Sequence, residues 1–255
     1  MPEGPDHYRS MAELYANEVE GVNYSKEWYR HRWRYQTGEN YKKENEVFIM
    51  APHGGSIESG TTELALATAG FTDDFDKHPA EPGTYDYFIF DGTNPEDQNG
   101  RLHVTASHYD DPVANELVQN SIVSLAFHGC TDEQPDQSTG NEYMACLIGG
   151  LDETFKELLE LRLQGAGFNA FITSQETLNG DIPENIINQN KLHAGAQFEM
   201  TTSLRKSFYE TNTRSGRRAT TNDDFWLFVN TVREAIEHYK EQLSQGVNQP
   251  AFESH

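Results

Sequence analysis

Leu151, Phe155, Leu158, Leu159 and Leu163 recur three and four residues apart. That spacing lays one apolar stripe along a helix and predicts a helix over 151–167, ended by Gly165 or Gly167. Tyr8, Met11, Leu14, Tyr15 and Val19 repeat the pattern over 8–21. Residues 58–70 read as a helix stopped by Gly70, 112–120 as a short helix, and 223–246 as a long one with an acidic first turn. Between these lie short apolar runs at 46–53, 84–92, 121–130, 144–150, 168–174 and 196–205, which read as strands or extended pieces. Residues 101–112 begin with alternation, Leu102, Val104 and Ala106 against Arg101, His103 and Thr105, as in a half-buried strand. Residues 23–45 are polar and aromatic with no clear period.

Strands alternating with helices predict an α/β fold with a central mixed, largely parallel sheet flanked by helices. Neither an internal repeat nor a linker composition divides the chain, so one domain is expected over 1–255, with 1–45 as a helical or irregular extension.

The 255 residues carry a formal net charge of -22. That charge argues against broad nucleic-acid binding, which draws on many Lys and Arg contacts to phosphate, and against adhesion to anionic lipid. There is no apolar run of eighteen residues and no apolar stretch at the N-terminus. No membrane span and no secretory signal are therefore expected. Cytoplasmic synthesis follows, with cell lysis as a route outside. Cys130 and Cys146 are too few for a disulfide framework, and whether they pair stays open. With no C-x-x-C pattern, a metal would have to be held by His and carboxylates.

Ligands in open α/β sheets collect beyond the carboxyl ends of strands. His53 and His128 both stand there, each followed by glycine, and Glu58 stands at the start of a helix. Together they make a His2Glu set with a coordination position left for water, the arrangement of catalytic zinc. The pattern is weak alone. His53 also reads as a turn residue and Glu58 as an acid favouring a helix N-terminus. Glu199, opposite in facing to Phe198, is a candidate general base, or else an ordinary strand glutamate. Arg205, Lys206, Arg214, Arg217 and Arg218 form a basic stretch able to grip substrate carboxylates, or a solvated loop. His108 reads as a substrate contact or a substitute ligand, and His103 as a hydrogen-bonded, half-buried residue. Arg30, His31, Arg32 and Arg34, interleaved with Trp33 and Tyr35, form a second basic run. The glycine turn after His53 lacks the G-K-[ST] of a P-loop. Cys130 is a weak candidate nucleophile.

The stretches "APHGGSIESGTTELA", "LHVTASHYDDP", "AFHGC", "IGGLD" and "GAQFEMTTSLR", in this order over roughly 46–205, resemble the poly-γ-glutamate hydrolase family of Bacillus phages and bacterial genomes. The resemblance implies a carboxypeptidase-like zinc peptidase that cuts γ-glutamyl amide bonds of a capsule polymer. Carried over by position, it implies His53, Glu58 and His128 as metal ligands and Glu199 as the catalytic glutamate. It also implies Arg205 as a substrate contact; Arg214 and Arg217, from the basic stretch, and His108 are further substrate-binding candidates read from the residues themselves. Phe198 and Met200 depart from the family's more aliphatic pattern around the glutamate. The competing readings are a zinc amidohydrolase of small N-acyl or γ-glutamyl amino acids and a non-catalytic polyanion-binding protein.

Overall fold

The structure, a computed structural model, describes residues 6–30, 46–73, 75, 77–79, 84–95, 98–135 and 144–246. In chain order the elements are α1 (Met11–Asn17), β1 (Tyr24–Tyr29), β2 (Val47–Gly55), α2 (Thr61–Ala69), β3 (Asp86–Gly92), α3 (Pro112–Asn120) and β4 (Val123–Gly129). There follow β5 (Cys146–Gly150), α4 (Glu153–Gly165), β6 (Ala170–Ile172), β7 (Ala196–Met200), α5 (Thr202–Ser207) and α6 (Asp223–Ser244). The strands form one seven-stranded sheet in the order β1-β3-β2-β4-β7-β5-β6. The pairs β2/β3, β2/β4, β4/β7 and β5/β6 are parallel; β1/β3 and β5/β7 are antiparallel. The mixed, largely parallel sheet expected from the sequence is thus present.

Side chains alternate across a strand, so each sheet face builds its own core. Val47, Ile49, Ala51, Leu125, Phe127 and Phe198 meet the apolar faces of α2, α4 and α6. Phe48, Met50, Phe88, Phe90 and Ala126 point the other way and pack on Met11 and Leu14 of α1 and Leu117 and Val118 of α3. The central strands are covered on both faces, which is why they read as continuous apolar runs. Side-chain caps start several helices: Asp152 accepts from Phe155 N, Asn222 from Phe225 N, and Thr201 from Leu204 N.

Three expectations change. The alternating run after Arg101 is no strand: Gly100–Leu102 and Ala106–His108 are single 3-10 turns. Leu102 and Val104 are buried as the pattern required, but the backbone is spent locally and on side chains. Leu102 N bonds Asn99 O, His108 N bonds Thr105 O, and Thr105 N bonds the Asp6 carboxylate. Residues 24–29, which showed no period, form an edge strand, with Tyr24 buried and Trp28 52% exposed, so no alternation marks it. Among the described residues before 46, β1 joins the sheet and α1 packs on its core. Finally, the predicted strand over 196–205 stops at Met200, and the remainder turns into α5. Apart from Arg30, the second basic run lies outside the described residues, as do 136–143 and the tail from 247.

Candidate metal and catalytic site

The site forms where β2, β4 and β7, three adjacent parallel strands, end. On β4 and β7 the register pairs His128 with Glu199, so both project from the same face. That face is set by alternation: Leu125, Phe127 and Phe198 enter the helix-covered core, and His128 and Glu199 point away from it. By the same count His53 would follow Ile49 and Ala51 into that core. It does not, because β2 carries a bulge. Ala51 pairs with Ile89 and Gly54 with Asp91, three residues against two. The extra residue reverses the alternation and turns His53 to the face of His128 and Glu199.

Four ligand-type side chains then meet in the interior. His53 Nδ1 lies 3.2 Å from Glu58 Oε1 and 3.3 Å from His128 Nδ1. His128 Nδ1 is 3.8 Å from Glu58 Oε2. His103, which the sequence reading left as half-buried, is buried here, its Nε2 3.8 Å from Glu58 Oε1 and its ring 3.9 Å from that of His53. Ligand atoms of His53, Glu58 and His103 all fall within 4.8 Å of one another. The histidine had been assigned to a strand face with Arg101 and Thr105. Without that strand, the loop is free to carry its ring to the sheet's end.

Other contacts fix these groups. His53 Nε2 faces Val104 O at 2.9 Å, so it carries the proton and leaves Nδ1 toward the cluster. Gly129 N–H donates to Glu58 Oε2 at 2.8 Å. His103 Nδ1 faces Asp6 Oδ1 at 2.8 Å. Gln197 Nε2 donates to Glu199 Oε1 at 3.4 Å, and Asn185 holds Gln197 Oε1 at 2.7 Å. Gly180, at φ +56°, is required beside this pair, since a Cβ there would lie 2.3 Å from Gln197 Oε1. His103 Nε2, His128 Nε2 and Glu199 Oε2 are buried and have no hydrogen-bond partner. The cluster opens into a cavity of about 190 Å3 whose lining includes Thr105, Ser107, Glu176, Asp181, Gln197 and Glu199.

The electrostatics follow from burial and proximity. Burial pushes Glu199 well above the usual carboxylate range, and the Glu58 charge adds to it. Burial also opposes ionisation of Glu58, but the facing histidines outweigh it and hold that carboxyl down at about 2. His128 is lowered to about 3, chiefly by burial, and stays neutral. Burial opposes the charged His53 as well, yet Glu58 and the Val104 carbonyl bring its net shift upward. A buried, neutral imidazole beside an ionised carboxylate is the protonation state a divalent metal needs from its ligands.

The expected substrate cations are elsewhere. Arg205 is buried, and its Nε, Nη1 and Nη2 donate to Met200 O, Ser59 O and Cys130 O. It braces the site from behind. Gly129 makes room for it, because a Cβ there would lie 2.5 Å from the Arg205 Cζ. Arg217 is fully buried, bonding Glu63 Oε2 and Gly55 O. It lines a separate cavity of about 880 Å3 with Arg214, Arg218, Glu27, Glu63 and Asp91. His108 is exposed, beside the site's lining residue Ser107. Cys130 is buried, and burial pushes its thiol well above the usual range, which removes it as a nucleophile.

Histidines and a glutamate gathered at the ends of parallel strands, beside a buried second glutamate, define a candidate metal-binding site on an α/β fold. The comparisons with known proteins are narrower. A family model described as poly-gamma-glutamate hydrolase matches residues 8–231, and the chain belongs to that family. It is a hydrolase by that membership. Among its relatives, UPF0714 protein YmaC of Bacillus subtilis (strain 168) is 28% identical over 234 residues, 91% of this chain and 85% of the relative. UPF0714 protein YndL of the same strain is 30% identical over 187 residues, 73% of this chain and 65% of the relative. Two solved structures share the fold. A bacteriophage poly-gamma-glutamate hydrolase superposes with a TM-score of 0.76 at 26% identity, covering 93% of this chain and 99% of its own. A structure described as YNDL-apo (Zinc-free) gives 0.74 at 26%, covering 92% and 99%. Among the described residues, no helix is long and apolar enough to cross a membrane.

Proposed function

We propose that this chain is a zinc-dependent hydrolase of the γ-glutamyl amide bonds of poly-γ-glutamate, with His53, Glu58 and His128 as metal ligands and Glu199 as the proton-transferring group. The observation that carries this reading is the spacing of the three ligands. Tetrahedral zinc with bonds of roughly 2.0–2.1 Å holds its ligand atoms about 3.3 Å apart. Here His53 Nδ1 lies 3.3 Å from His128 Nδ1 and 3.2 Å from Glu58 Oε1, while the other carboxylate oxygen, Oε2, lies 3.8 Å from His128 Nδ1, so Glu58 reaches one imidazole with each oxygen. The zinc-free description of a matching structure and the unpartnered buried Oε2 of Glu199 support the same reading.

Bound there, zinc would supply a Lewis acid that polarises the amide carbonyl and makes water a better nucleophile near neutral pH. The chain supplies the rest. His53 is held by Val104 O so that its Nδ1 lone pair faces the cluster, and Gly129 N–H fixes Glu58. Glu199 is steadied by Gln197, and burial raises its affinity for protons. It takes a proton from the attacking water at Oε2 and passes it to the departing nitrogen, which leaves as the α-amine of the next glutamyl residue. Of the four side chains expected to meet substrate, His108 is the exposed one beside the site's lining, and Arg214, also exposed, lines the second cavity and would meet only polymer that reaches it.

Glu199→Gln should keep zinc and the fold and lose roughly 10²–10⁴-fold in hydrolysis. His53→Ala should lose both zinc and hydrolysis. Full activity in either variant rejects the assignment. Falling viscosity of the polymer supports the polymer-cutting enzyme, whereas release of single amino acids from short amides alone would favour the small-substrate amidohydrolase.

A further inference from the structure

The ligand set above leaves one buried imidazole unused. His103 stands against Glu58 and His53, and its Nε2 has no hydrogen-bond partner. Its other nitrogen is held. Asp6 places Oδ1 2.8 Å from His103 Nδ1 and Oδ2 2.6 Å from Thr105 N. Each carboxylate oxygen thus takes one donor, and the two donors, two residues apart, fix the loop and the ring together. An ionised carboxylate only accepts, so Nδ1 must carry the proton. A neutral imidazole has one N–H, which leaves Nε2 as a bare lone pair. That lone pair faces a carboxylate oxygen 3.8 Å away with no hydrogen between them. Two acceptors so arranged call for a cation.

We propose that Asp6 is a positioning residue that locks His103 in its Nδ1–H tautomer and presents Nε2 as a further ligand to the metal held by His53 and Glu58. A carboxylate behind a ligating histidine fixes both ring orientation and tautomer, and its loss typically costs 10–100-fold in metal affinity. Asp6 comes to the site from 97 residues away in sequence. The family match begins at residue 8, so Asp6 lies outside it. The inference rests on the zinc reading above, but one arm of its test does not.

Asp6→Asn is the informative change. Asparagine offers one acceptor where two are needed, so its amide NH2 must confront either Thr105 N–H or His103 Nδ1. Two readouts apply. In the metal-free protein, the 15N shifts of His103 should report Nδ1–H in the wild type and a shift toward Nε2–H in Asp6→Asn. In a competition with a chelator, Asp6→Asn and His103→Gln should each bind zinc roughly 10–100-fold more weakly, with unchanged melting of the metal-free protein. Wild-type zinc affinity in both variants would overturn the proposal, as would an Nε2–H tautomer in the wild type. If His103 instead touches only substrate, KM moves and zinc affinity does not, which also overturns it. A wild type that binds no zinc would sink the functional reading, and the tautomer measurement would still decide the role of Asp6.

Discussion

Asp91, near the end of β3, accepts from the Thr62 hydroxyl at 2.6 Å and lines the larger cavity. Burial raises its carboxyl from 3.8 to about 6; the Glu63 charge adds to this, while Thr62, Arg218 and Arg214 only partly offset it. The folded protein therefore holds a proton that the unfolded chain releases near pH 4. By linkage, stability is greatest below that point and falls as pH rises from about 4 to 6, after which this contribution is flat. Asp91→Asn removes the dependence and keeps an acceptor for Thr62. The variant should melt above the wild type at pH 7, with the gap closing as pH is lowered to 4. A gap that stays constant, or opens toward acid, would show that the group ionises freely in the fold.

At the scale of elements, Arg205 ties α5 to three separate parts of the molecule. Arg205 on α5 takes backbone carbonyls from the end of β7 (Met200), from beyond β4 (Cys130) and from the turn before α2 (Ser59). Replacing it removes three charge-assisted bonds and deprives Ser59 O of its donor, while Met200 O keeps Cys130 N and Cys130 O keeps the Thr202 hydroxyl. Bonds to a charged donor are worth about 1.5–3 kcal/mol each, and an unsatisfied buried acceptor costs about 1–3 kcal/mol. Arg205→Met should thus lose on the order of 3 kcal/mol, measured by urea unfolding of the metal-free protein. A raised KM with unchanged unfolding would instead return Arg205 to the substrate. The sequence made the strands bearing His53, His128 and Glu199 legible, because strands buried on both faces show as apolar runs and their ends are where side chains turn outward. What it hid has physical causes. The bulge between Ala51 and Gly54 depends on pairing with β3, so the true facing of His53 cannot be counted from β2 alone. His103 sits in a buried loop whose Leu102 and Val104 imitate a strand's alternation. Asp6 acts across nearly a hundred residues. The edge strand β1 buries too little to show a period.

The whole molecule carries a net charge of -22, and its proposed substrate is a polyanion. The sequence reading expected a basic groove to reconcile the two. Among the described residues, the metal-site cavity is lined by no Lys or Arg and includes Glu176 and Asp181, while Arg214, Arg217 and Arg218 line the other cavity. On the proposed reading, the bound metal would supply positive charge at the reacting bond and so serve both binding and chemistry. The most direct test is to strip the purified protein with a chelator, remove the chelator, and follow poly-γ-glutamate hydrolysis as zinc is returned. The account predicts negligible hydrolysis by the stripped protein and recovery that saturates at about one zinc per chain, with no recovery in His53→Ala. Full hydrolysis by metal-stripped protein would contradict it.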